Sequence, residues 1–312
     1  MILPRNYLFH GLRCSKCVNF LQSSRNLRLA AALQNFVNLS HTVYNPDQKV
    51  PSPPSLSPPL LITHGLLGSK TNWNSIAKAV TRATNRQVVV FDARNHGDSP
   101  HVPQHGYDVM AEDVLHLVQN TLKVEKFTLM GHSMGGRTAM ALALRYPTLL
   151  EKLVVVDVSP VSLQSQFHSE MQDYIRIMMS IDFTGVSKLS EARKIGNAAL
   201  TELVPQASIR AFLLTNLYES NNQIAWKPNL PILHEAVGSV GLFPEDLMSK
   251  RFESPSLFIR GAKSSYIPDT DIPEIKKLFP AAKFDTIQGS GHWPHADNVK
   301  AFLDSLLQFL KL

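Results

Sequence analysis

The chain has 312 residues, 44% of them hydrophobic and 18% charged, the balance of a globular protein long enough to bury a full core in one large domain or two ordinary ones. Its net charge of +6 is concentrated at the start: Arg5, Arg13, Lys16, Arg25 and Arg28 precede the first acid, Asp47, and without those five the chain holds 26 basic residues against 25 acidic ones. That near-neutral remainder excludes a nucleic-acid footprint, and no run approaches the roughly 18 apolar residues of a membrane-spanning helix.

Residues 1–40 are Arg-rich, acid-free and dotted with Ser and Asn, the composition of a mitochondrial transit peptide, and RNLRLAAALQNF can form a helix with one basic and one apolar face. The expectation is import into the mitochondrial matrix, with a folded domain over 41–312. A secretory signal fits worse, because no apolar core of adequate length follows a short basic start. Cys14 and Cys17, the two cysteines, both lie in this segment, and a single C-x-x-C pair with no second pair is weak ground for a metal or redox site.

A short strand at HTVYN (41–45) precedes the connector KVPSPPSLSPP (49–59), whose prolines exclude a helix or a central strand. Strand-like apolar runs follow at LLIT (60–63), QVVVFD (87–92), KFTLM (126–130), KLVVVDV (152–158), SLFIRG (256–261) and KFDTI (283–287). Helix-period stretches separate them: 72–84, 107–123, 133–145 and 271–279, with a last helix at 298–310. Continuous Val/Ile/Leu strands alternating with helices predict an α/β fold with a mostly parallel, doubly wound sheet. Between about 161 and 250 no convincing strand is visible; helical patterns rich in Met, Phe and Leu predict a helical cap inserted after a sheet strand, part of it lining an apolar pocket.

Ligands of open parallel sheets bind outside the carboxyl ends of the strands, so the residues at those ends carry the chemistry. After KFTLM comes GHSMGGRT (131–138). As G-x-S-x-G it presents Ser133 as a nucleophile on a tight strand-to-helix turn; as G-x-x-x-x-G-[basic]-T it falls one residue short of a phosphate-binding loop, with Arg137 where Lys is needed. After LLIT comes HGLLG (64–68), whose Leu66 N–H, with that of Met134, can form an oxyanion hole. After KFDTI comes GSGHWPHAD (289–297), which puts His292 on a glycine-flanked loop in the place of a general base. A phosphate loop explains neither the HGLLG loop nor His292, so the serine reading is preferred. A zinc site from His64, His96, His292 and His295 lacks recognisable ligand spacing, and the serine chemistry calls for no metal and no organic cofactor.

With HGLLGSKTNW (64–73), FDARNHGDSPH (91–101), GHSMGG (131–136) and GHWPHAD (291–297) in hand, the chain after residue 41 resembles the α/β-hydrolase superfamily, in particular a branch of mitochondrial serine hydrolases and bacterial esterases marked by Asn95-His96. The resemblance implies hydrolysis of acyl esters, including lipid-like ones such as diacylglycerol. It also implies an alternative role as a protective partner of the lipoylated 2-oxoglutarate dehydrogenase complex. Fold relatives with an aspartate nucleophile, the dehalogenases and epoxide hydrolases, are disfavoured by Ser133.

One departure from the superfamily stands out. The usual triad acid follows the strand before the histidine loop, and here that strand ends Gly261-Ala262-Lys263-Ser264, with Ser264 in the acid's place. Asp269 and Asp271 nearby are expected to cap a helix. Asp157, at the end of KLVVVDV, is the expected third residue beside Ser133 and His292, with a carboxylate oxygen about 2.6–3.2 Å from His292 Nδ1. The competing reading of Asp157 is a buried structural acid.

Overall fold

In the computed structural model the described residues are 36–46, 57–161 and 165–311, with side chains described outside 162–168. The basic segment over 1–35, with Cys14 and Cys17, and most of the proline-rich connector lie outside the described residues.

Seven strands form one sheet in the order β1-β3-β2-β4-β5-β8-β9. β1 (His41–Tyr44) is antiparallel to β3 (Val88–Phe91); β2 (Leu60–Thr63), β4 (Phe127–His132), β5 (Leu150–Val156), β8 (Ser256–Gly261) and β9 (Ala282–Ile287) continue it in parallel. β2, β3 and β4 are buried at every position, as their unbroken apolar runs require of strands covered on both faces.

Helices cover each face because their apolar residues recur on one side. On one face, α1 (Asn74–Thr84) buries Ile76, Ala77 and Val80, and α10 (Val299–Lys311) buries Phe302, Leu306, Phe309 and Leu310, against Ile62, Val90, Val156 and Ile259 of the strands. On the other face lie α2 (Tyr107–His116), prolonged by a wider π-type turn over Leu117–Leu122, and α3 (Met134–Arg145). α3 is buried from Met134 to Leu144, which its run of Gly and Ala permits. The chain ahead of β1 is fastened here too: Val37 N–H donates to Asp113 Oδ1 (2.7 Å), whose carboxylate also grips the buried Arg94 guanidinium at 2.6 and 2.7 Å.

Between β5 and β8 the chain leaves the sheet for the expected helical insertion: α4 (Ser165–Ser180), α5 (Leu189–Leu200), α6 (Ala207–Leu214) and α7 (Leu230–Val240). Its buried Ile175, Met178, Leu213, Leu233 and Val237 join the same apolar cluster as α2 and α3. The expectation of no strand here needs correction, since β6 (Leu217–Ser220) and β7 (Gln223–Trp226) pair as an antiparallel hairpin. Its turn is Asn221-Asn222, both at positive φ (52° and 59°), a conformation that asparagine tolerates better than other side-chain-bearing residues.

Two buried groups tie the insertion down. The Arg137 guanidinium donates to Ser159 O (3.0 Å) at its start and to Gly241 O (2.5 Å) at its end, so the basic residue that suggested a phosphate loop instead holds the insertion's two ends together. Asn229 N–H donates to Asn95 O (2.9 Å) and its amide to Asn95 Oδ1 (3.2 Å), so Asn95 of the FDARNHGD stretch is a tether for the hairpin's exit.

Candidate active site

β4 ends at His132, and Ser133 turns the chain into α3 with φ 52° and ψ −120°, a strained conformation for a residue with a side chain. Hydrogen bonds fix the turn: Ser133 N–H donates to Val156 O (3.0 Å) and Arg137 N–H to Ser133 O (3.1 Å). The flanking glycines are obligatory by space. A Cβ on Gly131 would lie 2.1 Å from Gly135 O, and one on Gly135 would lie 2.5 Å from His64 O.

The HGLLG loop runs directly against this turn, since a Cβ on Gly65 would lie 3.1 Å from Ser133 Cβ. Its shape is held from below by two histidines. Ala93 N–H donates to His64 Nε2 (3.0 Å) while His64 Nδ1–H donates to Gly65 O (2.8 Å). Leu67 N–H donates to His96 Nε2 (3.1 Å) while His96 Nδ1–H donates to Arg94 O (3.0 Å). Both ring nitrogens of each histidine are thus committed to backbone, and burial pushes both pKa values down, so the rings stay neutral. Neither is placed to ligate zinc with His292. From the insertion, Asn216 donates to Leu67 O (2.7 Å). Leu66 lines the cavity beside Ser133, and Met134 opens α3 with its N–H among the first of the helix.

At the end of β5, Asp157 is fully buried and also strained, at φ 52°. Its Oδ1 accepts Gly261 N–H (2.9 Å), and its Oδ2 accepts both His292 Nδ1–H (2.8 Å) and the Ser264 hydroxyl (2.5 Å). The structure therefore brings Asp157 and His292 together inside the expected distance. Ser264, standing where the usual acid would be, donates to the carboxylate instead of replacing it. The Tyr266 ring stacks on His292, with centroids 3.7 Å apart and planes 23° from parallel. Burial lifts the Tyr266 phenol, which remains a neutral hydroxyl.

The expected capping by Asp269 and Asp271 needs correction. Neither side chain bonds a helix N–H: Asp269 pairs with Arg260 (2.6 Å), and Asp271, the residue that precedes α8 (Ile272–Leu278), accepts the Ser159 hydroxyl (2.5 Å). A buried donor from the start of the insertion competes successfully for the Asp271 carboxylate.

Three contributors escaped the sequence reading. His132, between the nucleophile and the glycine before it, places Nε2 2.7 Å from His292 O and so donates to the backbone of the histidine loop. His295, on α9 (Pro294–Asp297), stacks on Trp73 (4.2 Å, 17°). Burial, with His292 close by, pushes both of these pKa values down, that of His295 to about 3. Tyr266 is the third. His132 and His295 stand in the GHSMGG and GHWPHAD motifs, but nothing in those motifs signals these contacts.

Ser133 and His292 open on a cavity of about 440 Å³, a size typical of small-molecule sites. Met171, Tyr174, Ile209, Phe212 and Leu213 of the insertion form its apolar side.

The profile of a family described as the alpha/beta hydrolase fold matches residues 58–299. A Danio rerio protein named sn-1-specific diacylglycerol lipase ABHD11 is 44% identical over 255 residues, which is 82% of this chain and 79% of that protein. Its Mus musculus namesake is 41% identical over 253 residues, covering 81% of each. Among solved structures, a marine microorganism esterase superposes with a TM-score of 0.75 at 32% identity, over 88% of this chain and 99% of its own.

Proposed function

The chain belongs to the α/β-hydrolase family and is an ester hydrolase, and we propose that it cleaves lipid-like carboxylic esters, of which a diacylglycerol is one, through a Ser133–His292–Asp157 triad and an acyl-enzyme. The observation that carries this reading is the buried Asp157 carboxylate 2.8 Å from Nδ1 of a histidine that shares a cavity with the strained Ser133.

The chemistry follows from the hydrogen bonds. Asp157 accepts a hydrogen bond from His292 Nδ1–H and so keeps the ring proton on Nδ1, leaving Nε2 as the nitrogen that can take a proton from Ser133 as its hydroxyl attacks the ester carbonyl. The imidazolium that forms is stabilised by the carboxylate, and the Gly261 N–H and Ser264 O–H hold that carboxylate in place. The Leu66 and Met134 N–H groups receive the developing oxyanion, each such donor lowering the barrier by on the order of 3 kcal/mol. His292 then protonates the departing alcohol, and water, activated by the same imidazole, releases the acid.

Purified protein over residues 37–312, assayed on esters of graded acyl length, should hydrolyse them with Ser133→Ala inactive; hydrolysis that persists in Ser133→Ala would defeat the proposal. Residues 1–40 are proposed to direct the chain to the mitochondrial matrix, on composition alone. The protective role toward the 2-oxoglutarate dehydrogenase complex, implied by the resemblance, separates cleanly by experiment: protection that survives Ser133→Ala would make binding the operative function.

A further inference from the structure

Leu67 is the strained member of the HGLLG loop. It is fully buried and stands at φ 58°, a region that residues with a side chain avoid. Such a conformation persists only where the surroundings over-determine it, and both backbone groups of Leu67 are held by side chains from elsewhere in the chain. Its N–H donates to His96 Nε2 (3.1 Å), in the loop after β3. Its carbonyl accepts Asn216 Nδ2–H (2.7 Å), from the insertion 149 positions later.

Asn216 is itself fixed. It is buried between the end of α6 and the start of β6, and its second amide N–H goes to Leu213 O (3.2 Å). Its backbone N–H donates to the same carbonyl (3.1 Å), and its own carbonyl accepts Lys227 N–H (2.9 Å) just past the end of β7. Asn216 is not among the described residues that line the cavity, whereas Ile209, Phe212 and Leu213 of the helix before it are. It therefore acts through the loop it holds and not on the substrate.

What lies next to Leu67 gives this hold its consequence. Leu66, one residue earlier, carries the N–H proposed to receive the oxyanion. The loop runs against the Ser133 turn with little slack: Gly68 N–H closes it onto Gly65 O (2.9 Å), and a Cβ on Gly65 would lie 2.9 Å from His132 Nδ1. A relaxation of Leu67 toward negative φ would turn the Leu66–Leu67 peptide and carry Leu66 with it. A donor so displaced loses its distance and angle to the developing charge.

We infer that Asn216 is a positioning residue for the oxyanion hole, through which the insertion holds the HGLLG loop in its strained shape. The element that walls the apolar side of the cavity thus also sets a transition-state donor. The inference rests on the serine-hydrolase reading above, with Leu66 as a donor. Asn216→Ser keeps a hydroxyl that can return to Leu213 O, as the Thr215 hydroxyl does to Phe212 O (2.6 Å), and gives up the reach to Leu67. Asn216→Ala gives up both. Each is assayed on a short-chain ester and with the trifluoromethyl ketone of the same acyl length, whose adduct with Ser133 carries an oxyanion. In both variants kcat should fall about tenfold or more, short of the roughly 10²–10³-fold that deleting a donor costs. KM should stay within about twofold, and the ketone's Ki should weaken by the same factor as kcat/KM. Because Ki does not depend on how much of a preparation is folded, partial misfolding cannot mimic that shift. Thr215→Ala, at an exposed neighbour, should leave all three constants unchanged. An unchanged Ki, a loss confined to KM, or the same loss in Thr215→Ala would overturn the positioning role and leave the triad intact. Rates that survive Ser133→Ala would remove the hydrolase reading and this role with it.

Discussion

Asp157→Asn isolates the carboxylate's part in the proposed chemistry. The substitution preserves shape, and the surroundings dictate its orientation. One terminal atom must accept Gly261 N–H at 2.9 Å, so the oxygen takes that place and the new NH2 faces His292 Nδ1 and Ser264. An amide N–H pointing at Nδ1 favours the His292 tautomer protonated on Nε2, which cannot accept the Ser133 proton. The same inversion in a well-studied protease triad lowered turnover about 10⁴-fold, or about 5.5 kcal/mol. The asparagine keeps a hydrogen bond at each contact, so the melting temperature should move by only a few degrees. The assay is kcat/KM on a chromogenic short-chain ester, with thermal unfolding alongside. A variant that melts like wild type and retains more than about a tenth of its activity would refute the assigned role. Asp269→Asn is the control: its carboxylate is exposed and pairs with Arg260, and the rate should stay within about twofold.

Acid should destabilise the fold in a specific window. His64, His96, His105, His132 and His295 all have pKa values depressed by burial, to about 3 for His105 and His295. The unfolded chain binds protons on them below about pH 6.5 and the native protein does not, so stability is full above that pH and falls toward pH 3. At pH 5, His105 and His295 should each have cost about 2 kcal/mol; a urea midpoint that stays flat between pH 7.5 and pH 5 would contradict this. Gly131→Ala should fail to give soluble folded protein, because its Cβ would meet Gly135 backbone at 2.1 Å; normal expression and activity would show that the turn can relax. Arg137→Met strands the buried carbonyls of Ser159 and Gly241, each worth about 1–3 kcal/mol, and should raise KM for long-chain esters more than for acetates. Equal effects on both chain lengths would separate the guanidinium from the insertion's placement. Residues 1–40 fused to a reporter should carry it into mitochondria, whereas a cytosolic reporter would end the targeting proposal.

Much of the fold was legible because the strands are short unbroken apolar runs and the motifs stand at their ends. LLIT with HGLLG, and KFTLM with GHSMGG, each announce both a strand and the turn that follows it. Asp157 came forward from the resemblance, which puts Ser264 where the superfamily usually has its acid, and its carboxylate lies 2.8 Å from His292 Nδ1. The hairpin of the insertion was not, because LYES and QIAW are only four residues each and half exposed, with a faint period of two. Its signal was the Asn221-Asn222 pair, which tolerates the left-handed turn. Asp271 misled because a residue ahead of a helix suggests a cap, while the deciding partner, Ser159, lies 112 positions away in sequence. His132, Tyr266 and His295 were unreadable in the same sense: a neutral ring's role depends on what it stacks against, and that is set only when β4, β8 and α9 converge. The tie from Arg137 to the far end of the insertion likewise reaches Gly241, 104 positions away.

The most direct measurement is covalent. A fluorophosphonate carries a phosphorus centre that an activated serine attacks and cannot release. Intact-mass and peptide analysis after stoichiometric treatment should place a single adduct on Ser133, formed in step with loss of esterase activity. Ser133→Ala should take up no label, and Asp157→Asn should label far more slowly while still folded. An adduct on another residue, or complete labelling that leaves hydrolysis unimpaired, would contradict the account at its centre.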